Sequence, residues 1–225
     1  MHFNYPSEFI RYRYFDGLLR ELTALALLAY VVVQNGQKFS EFGVAFRASD
    51  LLYGMLLWGG ARLCYGLAYP GILYTCELLG WQPAPPYLPS LSLGLGLLTY
   101  CFVVVNPVYE EMLVRGFLMS ETIGLTGSST LAVLFSVLLQ TSYHLYQGVP
   151  YALAASVIFL IYSVYYARTQ RIMPLIVAHF MWDLTAHLSH ALMQSRLDTR
   201  SSDKVADVNL LPCLPASDDL VFRRS

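Results

Sequence analysis

The sequence predicts an all-α protein, a polytopic transmembrane helical bundle of about six spans. Of the 225 residues, 56% are hydrophobic and 13% are charged, whereas soluble domains average about 25% charged residues. The mean hydropathy is +0.49. No Asp, Glu, Lys or Arg occurs between Thr122 and Ala167, a stretch long enough for two membrane crossings of about 20 residues each. These observations exclude an ordinary water-soluble domain.

The predicted spans follow the apolar segments along the chain. Residues 1–20 are polar and aromatic and lack a signal-peptide cleavage site, so a retained N-terminal flank is expected. The bundle is expected over residues 21–193, and the polar residues 194–225 are expected to form a largely disordered tail. The predicted apolar segments are Leu22–Val33, Leu51–Leu79, Leu91–Val105 with the helix Pro107–Glu121 after it, Thr130–Tyr146, Tyr151–Ala167 and Met173–Met193.

Proline, glycine and polar residues predict the connections. Lys38–Asp50 is expected to be a polar loop, and Gly80–Pro89, with four prolines, a loop outside the hydrocarbon. A new helix is therefore expected near Ser90. Asn106 and Pro107 are expected to kink the third span or to start a fresh helix, with Asn106 as its N-cap. Shorter connections are predicted at residues 124–129, 148–150 and 168–171.

Charge and cysteine content exclude two further classes. A net charge of −1 offers no basic surface for nucleic acid, so no nucleic-acid partner is expected. The four cysteines, Cys64, Cys76, Cys101 and Cys213, have no C-x-x-C spacing. Neither a disulfide nor a cysteine zinc site is expected from them.

Six ionisable residues stand out among those inside or beside the predicted spans, where a charge at the helix centre costs about 2.5–3.5 kcal/mol. Such residues are candidates for function by default. They are Glu110, Glu111, Arg115, His144, His179 and Asp183.

The acidic pair is the strongest of these signals. Glu111 and Arg115 are four residues apart and share a helix face, whereas Glu110 points about 100 degrees away. Arg115 can therefore neutralise Glu111 while Glu110 stays free to act as a general base on water. The alternative is a charge cluster at a membrane interface.

The histidines add a second group. His144 ends an uncharged span and alone is more typical of a packed, hydrogen-bonded histidine. His179 and Asp183 are four apart, the spacing at which a carboxylate can orient an imidazole. His187 and His190 lie nearer the tail and are expected to be structural.

A carboxylate base, an imidazole partner and a second imidazole–carboxylate pair are enough to activate water and to stabilise a tetrahedral oxyanion. Hydrolysis is therefore the expected reaction class. The rival interpretation is a zinc or other divalent metal site built from the same histidines and carboxylates. No H-E-x-x-H motif is present to favour it.

The ordered set E-E-x-x-x-R, a lone His and H-x-x-x-D resembles the CPBP family, also called Abi, which comprises the CAAX proteases and bacteriocin-processing enzymes. The resemblance covers residues 107–183 and is closest at Glu110-Glu111, Arg115-Gly116 and Pro174–His179. The upstream Glu41–Val44, followed by Arg47 and Asp50, is similar to a loop often seen after the first helix of these proteins.

The resemblance implies a metal-free intramembrane glutamate endopeptidase in which Glu110 and His144 activate the attacking water. Glu111 and Arg115 match the supporting acid and base, and His179 with Asp183 matches the pair that binds the oxyanion or holds its donor. It implies no resident cofactor, although a divalent metal is left open because family members were once called metalloproteases. The expected partners are membrane lipid and a peptide or protein substrate, in a bacterial cytoplasmic membrane.

Three positions depart from the family pattern. Val114 stands where an aromatic residue usually precedes the arginine, and Gln140 stands where a Phe usually lies four residues before the histidine. Asp183 replaces the Asn of eukaryotic CAAX proteases. Because an ionised carboxylate cannot donate a hydrogen bond, Asp183 is expected to orient His179.

Two interpretations from other classes use the same residues. In the first, the protein is a non-catalytic immunity factor or scaffold whose charge pairs fix helix register. In the second, it is a metal or proton transporter with an intramembrane relay. The CAAX resemblance does not itself imply prenylated substrates.

Overall fold

The computed structural model describes residues 7–81, 96–189 and 192, and every regular element within these ranges is helical. The predicted all-α class is therefore confirmed. The elements are α1 (Ser7–Gln34), a 3-10 helix (Phe39–Phe42), α2 (Ala48–Leu78), α3 (Gly96–Glu110), a π-helix (Glu111–Met119), α4 (Ser120–Thr126), α5 (Ser129–His144), a 3-10 turn (Leu145–Gln147), α6 (Val149–Thr169) and α7 (residues 173–189).

Two helical stretches among the described residues are long and apolar enough to cross a membrane. One is Leu97–Thr126, in which α3, the π-helix and α4 form a continuous helix, and the other is Val149–Thr169. The other predicted spans do not meet this measure of length and composition, so the count of about six stays a prediction. Helix α1 starts at Ser7, inside the expected N-terminal flank, and Tyr14 of this early part packs edge-on against Phe102 of α3 at 5.4 Å.

The expected fresh helix start at Asn106–Pro107 does not occur, because α3 runs through both residues. The Asn106 side chain donates to Oε1 of Glu21 on α1 at 2.9 Å instead of capping a helix. Proline inside a membrane helix is tolerated where neighbouring groups satisfy the backbone. The interhelical bond of Asn106 explains why an N-cap signal was misleading here.

Four expectations lie wholly or mostly outside the described residues. The multi-proline loop after Gly80 falls mostly within residues 82–95, as does the helix start near Ser90. The tail at 194–225 and His190 also lie outside them.

Helix α6 occupies the middle of the bundle and packs against both α2 and α5, while α1 packs against α3. Small residues on α6 let its neighbours approach closely, as is usual for helix packing in membranes. Helix α2 also lies very close to α7, since a Cβ added at Gly54 would come within 2.6 Å of the Val177 side chain. The fully buried core includes Val32, Ala61, Met119, Tyr162, Tyr166, Ile172, Leu175 and Ala178.

The outer surface of the bundle is strongly apolar. Large hydrophobic side chains are exposed along α1, α2, α3 and α5, among them Leu67 at 75% and Leu97 at 81%. Apolar patches of this extent on a monomer mark a surface that another apolar phase covers.

A polar connection fastens the segment before α2 to the segment before α7. Arg171 donates to the fully buried carboxylate of Asp50, whose other oxygen accepts the backbone N–H of Arg47 at 2.7 Å. Gly43 has φ +75, and a Cβ there would lie 2.1 Å from the carbonyl oxygen of Gln170. The close approach of these two backbones therefore requires glycine.

Candidate active site

The six residues expected from the sequence lie on four helical elements that converge inside the bundle. Glu110 ends α3, Glu111 and Arg115 lie on the π-helix, His144 ends α5, and His179 and Asp183 lie on α7. The structure brings them into one electrostatic neighbourhood, since His144 interacts with Glu110, Arg115 and His179. Two smaller groups of direct contacts make up this cluster.

The first group centres on Glu111. Its Oε1 accepts Nη1 of Arg115 at 3.0 Å and Nδ1–H of His179 at 2.8 Å. The Glu111 and Arg115 side chains are both fully buried. The guanidinium also lies 3.5 Å from the carbonyl oxygen of Phe159 and over the ring of Tyr162 at 5.8 Å. The carboxylate therefore binds a cation and fixes the ring of His179 at once.

The expected orienting role of Asp183 is not what the contacts show. Its Oδ2 lies 3.8 Å from Nε2 of His179, which is too long for a hydrogen bond. Glu111 holds the ring from the other side. The i, i+4 spacing places His179 and Asp183 on one face, but the long-range partner on the π-helix comes closer than the local one.

The second group centres on Glu110, which is half-buried. Its Oε2 accepts the hydroxyl of Tyr143 at 2.8 Å and, at 3.4 Å, the side-chain amide of Gln140. The same amide also donates to the Tyr143 hydroxyl at 3.1 Å. Within the described ranges, these neutral donors are the side chains that bind Glu110, and no arginine or lysine pairs with it.

His144 does not hydrogen-bond to Glu110 directly. Its Nδ1 lies 2.8 Å from the carbonyl oxygen of Gln140, and its ring packs against Phe159 at 4.8 Å. A carbonyl oxygen only accepts, so Nδ1 carries a proton and Nε2 of the neutral ring holds a lone pair. His144 therefore presents a proton acceptor near Glu110.

The segment that carries Glu111 and Arg115 is a π-helix, whereas an ordinary helix was expected. In this wider helix backbone bonds run from i to i+5, and such segments often occur at functional sites. The π-helix follows Glu110 directly, so the two neighbouring glutamates belong to different helical geometries and to different contact groups.

Sequence reasoning did not identify three residues of the site. Tyr143 and Gln140 directly bind Glu110, and Glu21 of α1 is buried beside the cluster through its bond to Asn106. A signal existed for Gln140, which replaces an apolar family residue three positions before Tyr143. Glu21 stands at the start of an apolar segment, and only the packing of α1 on α3 brings it to the site.

The same donors could in principle hold a metal, because histidine nitrogens and carboxylate oxygens are its usual ligands. In the part of the chain that the structure describes, no group of three His, Cys, Asp or Glu side chains is arranged to share one ion. Glu111 instead uses its bonded oxygen for Arg115 and His179.

The fold and the cluster define a class: an all-helical protein whose apolar helices enclose carboxylates, an arginine and histidines. Residues 92–185 match the family described as Type II CAAX prenyl endopeptidase Rce1-like. The matched segment contains all six expected residues, and the match confirms the resemblance to the CPBP (Abi) family. No curated protein and no solved structure matches the chain significantly. The family is one of membrane-bound proteases, which implies a peptide or protein substrate.

Proposed function

We propose that this protein is an intramembrane endopeptidase that hydrolyses a peptide bond of a membrane-associated peptide or protein, with Glu110 as the general base. The observation that carries this proposal is the environment of Glu110. It is half-buried, it is oriented by the neutral donors Tyr143 and Gln140, and it has no cationic partner in the described residues. The neighbouring Glu111, by contrast, is already bound by Arg115 and His179.

The reaction begins with a water between Glu110 and the scissile carbonyl carbon. Glu110 removes one proton as the water oxygen bonds to that carbon, and the carbonyl oxygen becomes an oxyanion. Nε2 of His144 supplies a second proton-accepting site, because its Nδ1–H is held by the Gln140 carbonyl. Collapse of the tetrahedral intermediate breaks the C–N bond, and the proton returns from Glu110 to the leaving nitrogen.

His179 is proposed as the donor to the oxyanion. Glu111 holds its Nδ1–H at 2.8 Å, so Nε2 carries the donating hydrogen when the ring is doubly protonated. Asp183, 3.8 Å from that nitrogen, balances the charge of the protonated ring. Arg115 pairs with Glu111 and holds it in place, so it supports the donor without contacting substrate.

The membrane setting is proposed to be a multi-pass topology of about six spans in a bacterial cytoplasmic membrane. The exposed hydrophobic side chains of α1, α2, α3 and α5 support lipid contact around the bundle. In this proposal the six spans are α1, α2, the continuous α3-to-α4 helix, α5, α6 and α7. Prenylated substrates do not follow from family membership.

A non-catalytic scaffold is the second candidate, favoured by the complete burial of the Glu111–Arg115 pair. Buried pairs of this kind fix helix register in some proteins. The scaffold explains Glu111, Arg115 and His179, but it gives no role to the half-buried Glu110.

Cleavage of a quenched peptide library by the reconstituted protein tests the proposal, with and without chelator. We expect wild-type cleavage that chelator leaves unchanged and that Glu110→Gln abolishes. Loss of wild-type cleavage with chelator would reassign Glu110, His144 and His179 as metal ligands. An active Glu110→Gln protein would contradict the general-base role.

A further inference from the structure

The cluster contains more carboxylates than cations. Glu111 is paired with Arg115, and Asp183 faces His179. Glu21 and Glu110 remain, and the structure gives neither of them an arginine or lysine partner within the described ranges. Carboxylates without a cationic partner cost free energy among apolar helices, so a bound cation would stabilise this cluster.

The nearby cations are directed elsewhere. Arg20 adjoins Glu21 but is exposed and pairs with Asp16 at 2.9 Å. Arg62 of α2 lies over the ring of Trp182, 5.1 Å from its centroid. Arg20 therefore acts on Glu21 only from a distance, and neither arginine forms an ion pair with Glu21 in the described part of the chain.

Glu21 is the less expected of the two carboxylates. It is only 8% exposed, its Oε1 accepts from Asn106 at 2.9 Å, and its Oε2 is buried without a hydrogen-bond partner. The carboxylate interacts electrostatically with Glu110 on α3 and with Asp183 on α7, so it faces the cluster from α1. A buried acceptor with no donor costs free energy until something donates to it.

Glu21 lies on α1, and its hydrogen bond to Asn106 of α3 indicates how far it is from Glu110, where the attacking water is proposed to bind. Asn106, its partner, lies four residues before Glu110 on the same face of the α-helix. Four residues correspond to about 6 Å along the axis. An extended peptide advances about 3.3 Å per residue, so about two substrate residues cover the distance from Glu110 to the level of Glu21.

We propose that Glu21 forms a subsite for a basic side chain of the substrate within two residues of the scissile bond, while Glu110 stays free for the attacking water. A lysine or arginine supplies both the missing positive charge and N–H donors for the orphaned Oε2 of Glu21. Asn106 holds the carboxylate in place through its other oxygen. This inference deepens the proposed peptidase function and rests on it.

Cleavage of matched peptides tests the subsite. The peptides are N-acetylated and C-amidated, so a side chain is the only cation, and they carry Lys, Arg or norleucine at each position within two residues of the cleaved bond. We expect kcat/KM at least about tenfold higher for the basic peptides with wild-type protein. Glu21→Gln, which keeps an acceptor for Asn106, is expected to bring the basic-to-neutral ratio close to one.

Two further variants serve as controls. Glu121→Gln alters another carboxylate that accepts a side-chain amide, from Gln37 at 2.8 Å, and is expected to keep the wild-type ratio. Glu21→Asp keeps the charge and is expected to retain most of the preference. An unchanged ratio in Glu21→Gln, or equal cleavage of basic and neutral peptides by wild type, would overturn the subsite.

A binding assay distinguishes an incorrect subsite proposal from an incorrect peptidase proposal. Fluorescence anisotropy with the same labelled peptides measures affinity whether or not cleavage occurs. If no peptide is cleaved, the peptidase proposal fails, yet tighter binding of lysine peptides that Glu21→Gln removes still supports the cationic subsite. Equal affinity for lysine and norleucine peptides would refute it.

Discussion

Removing one partner of the buried Glu111–Arg115 pair is expected to destabilise the bundle strongly. Glu111→Gln keeps an oxygen that can accept from Arg115 and His179 but removes the charge, leaving the guanidinium with the Phe159 carbonyl at 3.5 Å and the Tyr162 ring. Both members of the ion pair are 0% exposed, so water does not replace the lost carboxylate. Breaking such a pair costs about 3–5 kcal/mol.

The double variant sharpens this prediction. Arg115→Met alone leaves Glu111 charged and buried, with His179 as its remaining partner, and is expected to cost about as much as Glu111→Gln. Combining the two removes both charges at once. The double variant is therefore expected to be no less stable than either single variant, a non-additivity typical of residues in contact.

The free energy of unfolding can be followed by circular dichroism as SDS is titrated into mixed micelles. Glu121→Gln, whose carboxylate is paired with Gln37 away from the site, serves as the control and is expected to change stability by less than about 1 kcal/mol. Losses below about 1 kcal/mol in Glu111→Gln, or losses that simply add in the double variant, would refute this account of the buried pair.

Two other predictions concern the site and the connection that supports it. Tyr143→Phe removes the hydroxyl that donates to Glu110 at 2.8 Å. A hydrogen bond to a charged group is worth about 1.5–3 kcal/mol, so kcat for peptide cleavage is expected to fall about 10- to 100-fold; an unchanged kcat would contradict the orienting role. Gly43→Ala adds a Cβ 2.1 Å from the carbonyl of Gln170, whereas Gly36→Ala, also at positive φ, meets nothing within 4 Å. We expect Gly43→Ala to lower the SDS unfolding free energy by about 2 kcal/mol more than Gly36→Ala, and equal losses would argue against the close approach.

Local spacing predicted part of the site. The i, i+4 relation of Glu111 and Arg115 was enough to indicate their pairing, because a helix fixes which side chains share a face. The same relation placed His179 and Asp183 on one face, where they lie 3.8 Å apart, but it did not predict Glu111 as the closer partner of the imidazole. Local spacing does not reveal that the Glu111 carboxylate approaches from another helix.

Long-range contacts account for what the sequence did not predict. Glu21 and Asn106 are separated by 85 positions, and their bond forms only because α1 packs on α3. That bond also explains why Asn106 does not act as an N-cap before Pro107. The apolar helices themselves were predictable from composition, since their hydrophobic runs do not depend on which neighbour they meet.

The π-helix had no local signal in the sequence. Its residues are typical of an ordinary amphipathic helix, and the partners of Arg115 on α6 and of Glu111 on α7 come from distant parts of the sequence. Segments with this geometry occur frequently at functional sites. Departures from regular helical geometry are expected at functional sites, and the π-helix begins directly after Glu110.

The central claim is that Glu110 acts as the general base of a peptidase. Its most direct test is the single-turnover cleavage rate of Glu110→Gln in lipid, measured beside wild type and Glu121→Gln. A general base contributes about 10²- to 10⁴-fold, so we expect a loss of at least about 100-fold in Glu110→Gln while Glu121→Gln stays near the wild-type rate. Cleavage by folded Glu110→Gln protein at the wild-type rate would contradict the account.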